Sequence, residues 1–252
     1  MKQTNKFCYL GSVLSDNAVI DDEIQCRIQK AAASFGLLQQ RLWSRHGITS
    51  AVKVKVYTAA VLTILLYGGE SWTLYQRHIK QLEAFHARCL RKILHVHWQD
   101  KIPNTEILER SNCVSIQAML MRQQLRWTGH ICRMEDNRLP KLMLYGELTT
   151  GYRSRGGQRK RFKDQLKKSL VHCHLDVDTW ETLALDRSSW RSSTKSGVHE
   201  FELHRINEAM ARRQRRKEVP LTVSDGTSSY ICHVCGRVCR AKIGLISHLS
   251  TH

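Results

Sequence analysis

The stretch DDEIQCRIQKAAASFGLL, residues 21–38, decides the fold class of this chain. Its apolar side chains recur every three or four residues, which is the spacing that brings them onto one face of an α-helix. Asp21 and Asp22 precede this pattern, where acidic side chains complement the positive end of the helix dipole. The stretch therefore predicts an amphipathic helix with the core-facing residues Ile24, Ile28, Ala31, Phe35 and Leu38.

Further segments with a helical period follow along the chain. A segment that begins at Thr49 or Ser50 is apolar on nearly all sides until Gly68, which is typical of a buried helix. Residues 77–95, 115–134 and 200–218 predict more helices, and a polar, serine-rich stretch over residues 188–197 precedes the last of them. Residues 7–14 are rich in aromatic and aliphatic side chains and predict one short strand. The fold class is thus mainly α, a helical body with a short N-terminal strand.

The C-terminal residues carry a pattern of metal ligands. Cys232 and Cys235 form a C-x2-C pair, and twelve residues separate Cys235 from His248, which is followed four positions later by His252. Two thiolates on a tight turn and two imidazoles on one helix face suit tetrahedral Zn²⁺ and fill all its positions, so the site is structural rather than catalytic. The spacing predicts a small C-terminal ββα zinc finger over residues 230–252, with these four residues as the Zn²⁺ ligands.

Cys239 is a rival sulfur ligand in the same segment. It occupies the position where such a finger usually has a core aromatic residue, so we expect it to pack as a small hydrophobic side chain. Fraying of the helix at His252 would let Cys239 act as the fourth ligand instead.

The chain is strongly basic. Its 40 lysines and arginines exceed its 22 aspartates and glutamates, which gives a net charge of +18 at pH 7 and indicates a polyanionic partner, DNA or RNA. The charge is dense in residues 153–163 and 212–217, and dense guanidinium groups suit phosphates, which give affinity without base reading. We expect phosphate contacts from Arg153, Arg155, Arg159, Lys160, Arg161, Arg212, Arg213, Arg215 and Arg216.

Other features of the composition bear on location and catalysis. The nine cysteines are scattered, which favours a reducing compartment, and the basic cluster at residues 212–217 resembles a nuclear localisation signal, so we expect the nucleus and secondarily the cytoplasm. The longest apolar stretch, residues 56–69, is too short to span a membrane. Most of the six tryptophans are expected in the core.

We expect no enzymatic activity, because no common catalytic motif occurs and the few acidic residues show no set that converges on one pocket.

A series of short motifs in a fixed order resembles a known family. The motifs are Phe7-x-Tyr9-Leu10-Gly11-Ser12, Leu66-Tyr67-Gly68-Gly69-Glu70-Ser71-Trp72, Leu90-Arg91-Lys92-Ile93-Leu94, Leu125-Arg126-Trp127-Thr128-Gly129-His130, Arg133-Met134, Arg138-Leu139-Pro140 and Gly151-x-Arg153-x-x-Gly156. Over about residues 7–170 they resemble the C-terminal part of the endonuclease/reverse transcriptase of LINE-type (non-LTR) retrotransposons. The cysteine and histidine segment is similar to the tail that ends some of those proteins.

The resemblance implies a domain division. Residues 1–18 would hold a strand that closes the polymerase palm, residues 19–150 a thumb- and connector-like body that grips template and primer, and residues 151–219 a basic helical region. A linker over residues 220–229 would lead into the finger at residues 230–252. The family's paired catalytic aspartates lie upstream of the strand, whereas Asp21 and Asp22 follow it, and the endonuclease domain is absent. The chain therefore resembles a non-catalytic remnant.

Three functions are considered for this sequence. They are a zinc-binding, non-catalytic nucleic-acid-binding protein, a zinc-finger DNA-binding transcriptional regulator, and an active nuclease or polymerase. In a base-reading finger the contact positions would be Ala241, Gly244 and Ser247, which offer only one short hydroxyl, and one finger covers only about three base pairs. The sequence favours the first function, because the second lacks base-reading side chains and the third lacks its carboxylates.

Overall fold

The computed structural model describes residues 6–15, 19–146, 156, 159–218, 230–239 and 242–250. Over these residues the protein is mainly helical, with two short strands near the start of the chain and two near its end. The predicted mainly α fold class is confirmed. The chain divides into two compact units, Met1–Asn207 and Glu208–His252.

The helices and strands have the following bounds. They are β1 (Lys6–Tyr9), β2 (Ser12–Ser15), α1 (Asp21–Leu37), α2 (Ser50–Tyr57), α3 (Thr63–Leu65), α4 (Gln76–Ile93), α5 (Asn104–Arg110), α6 (Ile116–Cys132), α7 (Leu139–Tyr145), α8 (Phe162–His172), α9 (Trp180–Leu185), α10 (Arg187–Glu218), β3 (Tyr230–Ile231), β4 (Val238–Cys239) and α11 (Lys242–Leu249). A π-helical segment, Thr58–Leu62, joins α2 to α3, so the predicted buried helix contains one wide turn.

The predicted N-terminal strand is a hairpin. β1 pairs antiparallel with β2, with Phe7 opposite Leu14 and Tyr9 opposite Ser12. Leu10 and Gly11 have φ angles of 47° and 85°, which is the backbone conformation of a tight two-residue hairpin turn. The prediction of one strand over residues 7–14 is therefore wrong, because the chain turns at Leu10 although that residue continues the apolar run.

A buried ion pair on α1 holds this hairpin. Arg27 donates from Nη2 to Gly11 O and Ser12 Oγ, both at 2.9 Å. Glu23 accepts from the Val13 N–H at 2.6 Å and from Arg27 Nε at 2.7 Å. A buried pair is stable only when further hydrogen bonds satisfy both charges, and the hairpin backbone supplies those bonds here.

Two hydrophobic cores share α6. The first is formed by α1 to α5 with the N-terminal turns of α6, and it includes Leu65, Leu82 and Leu120. The second lies where α6 meets α8, α9 and α10, and it includes Leu125 and Trp180. The expectation that most tryptophans anchor the core is confirmed for Trp43, Trp72, Trp180 and Trp190. Trp98 differs, because its side chain is 80% exposed.

α10 is longer than the sequence predicts. Asp186 accepts from the Ser188 and Ser189 N–H groups at 3.0 and 3.3 Å, and these bonds satisfy donors at the helix start. From there the serine-rich stretch is helical, because Trp190, Thr194 and Val198 recur every four residues on a buried face. The helix therefore begins at Arg187 and not at residue 200 as predicted, and the polar stretch over residues 188–197 lies within its first turns.

Candidate metal centre and basic surfaces

β3, β4 and α11 bring three potential metal ligands together. β3 pairs antiparallel with β4, with Tyr230 opposite Cys239, and the loop between these strands carries Cys232 and Cys235. His248 lies near the end of α11. The ligand atoms of Cys232, Cys235 and His248 all lie within 4.8 Å of one another, and Cys235 Sγ is 3.0 Å from His248 Nε2. Two sulfurs and one imidazole nitrogen form a donor set that suits Zn²⁺.

Local backbone bonds give the cysteine loop its shape. The Gly236 N–H donates to Cys232 O, and the Cys232 N–H donates to Arg237 O, both at 2.8 Å. Gly236 has a φ of +70°, which is a conformation that favours glycine. Burial raises the pKa of the Cys232 thiol, whereas hydrogen bonds from the Cys235 and Val234 N–H groups lower it. The hydrogen bonds together have the larger effect, so the net pKa is below the usual value of 9.0. The loop thus favours the thiolate, which is the form that binds metals.

The structure brings three of the four predicted ligands into one group. His252 lies outside the described residues. Cys239, the rival sulfur, is buried on β4 and does not belong to the group. A Cβ added at Gly244 of α11 would lie 3.8 Å from Cys239 Cβ, so this cysteine faces the helix as part of the small interior.

The first predicted basic segment lies directly before α8. Lys160 Nζ donates to Leu74 O at 2.9 Å and to Gln165 Oε1 at 3.1 Å, so this ammonium group ties the start of α8 to the segment before α4. Arg159 and Arg161 have exposed side chains. Arg161 pairs with Asp164 at 3.4 Å. The other two predicted residues, Arg153 and Arg155, lie outside the described residues.

The second predicted basic segment lies in the last turns of α10. Arg212, Arg215 and Arg216 are exposed, and Arg213 is half-buried. Arg212 pairs with Glu208, one turn earlier, at 2.9 Å. Cationic side chains at the C-terminal end of a helix interact favourably with its dipole, so this cluster stabilises its own helix whatever else it contacts.

A groove that no sequence pattern predicts lies between α6 and the start of α10. It has a volume of about 600 Å³. Its lining, among the residues that the structure describes, includes Arg126 and Arg133 from α6, Arg187 and Arg191 from α10, and one acidic residue, Glu70. The helical spacing of the α6 residues is visible in the sequence, but only the fold brings in the α10 arginines. We therefore call this site the arginine groove.

The Leu125–His130 motif divides between the core and the arginine groove. Leu125, Thr128 and Gly129 are buried, whereas Trp127 and His130 line the groove. Trp190 Nε1 donates to Leu125 O at 3.0 Å, and a Cβ added at Gly129 would lie 2.1 Å from that nitrogen. Glycine at position 129 thus allows α10 to approach α6 closely.

The acidic residues singled out in the sequence have structural partners. Asp21 begins α1 and accepts hydrogen bonds from Arg77 at 2.8 Å and His78 at 3.1 Å.

Within the described ranges, the Cys232 group is the one set of three or more cysteine, histidine or acidic residues whose ligand atoms converge. In the same part of the chain, every helix falls short of the length and apolar character that crossing a membrane requires.

Comparison with known proteins gives one informative similarity. The chain is similar to an uncharacterised transposon-derived protein of Caenorhabditis elegans, with 24% identity over 204 residues that cover 75% of this chain and 70% of the worm protein. No protein-family model and no solved structure matches the chain. The similarity supports a transposon-related origin, and it does not distinguish LINE-type elements from other transposons.

Proposed function

We propose that this protein is a zinc-binding, non-catalytic nucleic-acid-binding protein, derived from the C-terminal part of a LINE-type reverse transcriptase. The observation that carries the proposal is the convergence of Cys232, Cys235 and His248 at the end of a strongly basic chain. The ligand spacing assigns His252, which lies outside the described residues, as the fourth ligand. The motif order and the transposon-derived relative support the origin.

Zinc would stabilise the fold of the C-terminal module. α11 has no buried residue, and the buried side chains of β3, β4 and their loop, among the residues described, are Cys232 and Cys239. So small an interior supplies little hydrophobic stabilisation, and modules of this size commonly fold only when metal is bound. Four protein ligands leave no open position for substrate, so the metal's role is structural.

Nucleic acid is the polyanion that we assign to the basic surface. The net charge of +18 attracts a polyphosphate over a long range. Exposed guanidinium groups lie directly before α8, at Arg161, and in the last turns of α10, at Arg215 and Arg216. Contacts of this kind are made to phosphates and depend little on sequence. Arg212, Arg213, Arg215 and Arg216 would also direct the protein to the nucleus.

The alternative is a transcriptional regulator that reads DNA bases through the finger. Of its expected contact positions, Gly244 and Ser247 are exposed, and Ala241 lies outside the described residues. Ile243 and Ile246, which are 78% and 59% exposed, add apolar surface next to them. Base reading in the major groove relies mainly on arginine, lysine, asparagine and glutamine side chains. This helix therefore favours a structural finger over a base-reading one.

Zinc analysis of the full-length protein tests the proposal. The wild-type chain should bind about one zinc ion. Cys232→Ser should lose most of this zinc, whereas the matched variant Cys239→Ser should retain it, because that sulfur lies outside the ligand group. The opposite pattern would show that Cys239 is the ligand, and equal zinc content in all three proteins would refute the site.

A further inference from the structure

We infer that the arginine groove binds a single strand of nucleic acid, with its arginines on successive phosphates and a base against Trp127. This inference rests on the proposed function and adds a binding site on the helical body that is independent of the finger and of both basic segments predicted from the sequence.

The charge of the groove favours a phosphate-bearing ligand. Four arginines face one glutamate across about 600 Å³. Arg126, Arg187 and Arg191 are exposed, and within the part of the chain that the structure describes their guanidinium groups have no ion pair and no hydrogen bond. Like charges that line one concavity repel each other, and an anion removes that repulsion. Guanidinium groups bind phosphate oxygens in pairs, which gives short, strong hydrogen bonds.

An aromatic ring lies among these charges. Trp127 is half-buried, and its ring centroid is 5.5 Å from that of His130. A partly exposed indole beside guanidinium groups is the arrangement on which proteins stack unpaired bases. The ring is therefore placed to contact a base while the neighbouring arginines contact its phosphates.

The volume of the groove and the need for an accessible base both favour a single strand over a duplex as the ligand. The volume of the groove lies within the range of about 300–1,000 Å³ that is typical of small-ligand pockets, which fits one or two nucleotides. In a duplex the bases stack on each other and are not available to a protein ring. A single strand can present both a phosphate and a free base face to the same groove.

The groove is also preformed. Trp190, which is 2% exposed, packs on Gly129 beneath the groove, and Thr128 Oγ1 donates to Gln124 O at 2.8 Å. Arg133 is oriented by a hydrogen bond from Nη1 to Ala184 O at 2.5 Å. These contacts fix the floor of the groove and Arg133 before binding, so the conformational entropy lost on binding is mainly that of the exposed arginine side chains.

Binding of labelled oligonucleotides by the full-length protein tests the inference. The probes are oligothymidylate DNA and oligouridylate RNA of about 12 nucleotides, within the length range of single-strand binding sites. The groove variant combines Arg126→Ala, Arg187→Ala and Arg191→Ala. The matched control removes three exposed cations from α2 and α4, through Lys55→Ala, Lys80→Ala and Arg88→Ala.

The groove variant should bind about 100-fold more weakly at about 0.1 M salt. Each phosphate contact to a single strand contributes about 0.7 to the slope of log affinity against log salt, so the loss of three contacts lowers the slope by about 2, and at about 0.1 M, tenfold below 1 M, this equals about two powers of ten in affinity. The control should lose less than about threefold. Equal losses in the two variants would show that net charge alone matters. Wild-type affinity in the groove variant, or a wild-type protein that binds a duplex of the same length but neither single strand, would overturn the inference and leave the proposed function standing. A wild-type protein that binds neither the single strands nor the duplex would overturn the proposed function itself.

Two further measurements test the ligand class. Trp127→Leu should weaken binding to oligothymidylate more than binding to an abasic oligonucleotide of equal length, and equal weakening would contradict base stacking. Polyglutamate of the same charge should compete poorly with the labelled probe. Full competition by polyglutamate would mean that the groove recognises acidic peptides instead.

Discussion

His86 shows how a single buried residue makes stability depend on pH. Its side chain is fully buried, its Nδ1 lies 2.8 Å from the Tyr57 hydroxyl, and the two rings stack with centroids 5.7 Å apart. Burial lowers the pKa of His86 to about 4, because the charged imidazolium would lose its hydration. The folded protein therefore holds this side chain neutral across the pH range in which a free histidine gains a proton.

Stability should decrease as the pH falls below about 6.5. In that range the unfolded chain binds a proton at His86 and the folded protein does not, so the unfolded state is favoured. For a folded pKa of about 4, the loss at pH 5 relative to pH 7.5 is about 2 kcal/mol. Urea unfolding of the wild type and of His86→Gln at both pH values measures this contribution. A decrease of the same size in the variant would contradict it.

The residues of the candidate sites differ in how far the sequence predicts them. Cys232, Cys235 and His248 are identifiable because their spacing is set by a tight turn and a helix period, which are local properties. Arg126 and Arg191 could not be paired from the sequence, because their proximity depends on how α6 and α10 pack. Lys160 reads as a surface cation, yet its ammonium group hydrogen-bonds Leu74 O and Gln165 Oε1, which depends on tertiary structure in the same way.

The packing of α10 on α6 depends on Gly129. A Cβ at this position would lie 2.1 Å from Trp190 Nε1 and 2.4 Å from its Cδ1, so the indole would have to move and its hydrogen bond to Leu125 O would break. Overpacking of a tight core typically costs about 1–3 kcal/mol. The close contact also positions Arg187 and Arg191, which flank Trp190 on the same helix.

Gly129→Ala should destabilise the protein by about 2–4 kcal/mol, through overpacking and loss of a buried hydrogen bond. Gly36→Ala is the matched control on α1, because a Cβ there meets no atom within 4 Å, and it should be neutral or stabilise by up to about 1 kcal/mol. Chemical denaturation of both variants measures the difference. Equal stabilities would show that the α6–α10 contact is looser than the structure indicates.

The elements themselves were predictable where the periodic pattern is long. The apolar period over residues 21–38 predicts α1 because each core-facing residue repeats the same spacing. The hairpin was not predictable from its apolar run, because Leu10 adopts a positive φ that leucine rarely takes. The start of α10 was hidden for a different reason: its first turns are mostly serine, and the helix there depends on capping by Asp186 and on the burial of Trp190.

At the scale of the whole molecule, the protein consists of a helical body and a small C-terminal unit, and the chain as a whole carries a net charge of +18. The transposon-derived relative supports the origin of the chain, and the domain division implied by the retroelement resemblance remains a proposal. Neither the proposed finger nor the basic segments would need a catalytic centre in order to bind a polyphosphate. The central claim is therefore that the full chain binds nucleic acid mainly through phosphates.

Affinity measured across a salt series tests this claim most directly. The full-length protein is titrated with single- and double-stranded oligonucleotides of unrelated sequence between about 50 and 200 mM salt. Log affinity should fall linearly with log salt, with a slope equivalent to several phosphate contacts, and unrelated sequences should bind with similar affinity. Absence of binding, binding that salt does not weaken, or strong preference for one sequence would contradict it.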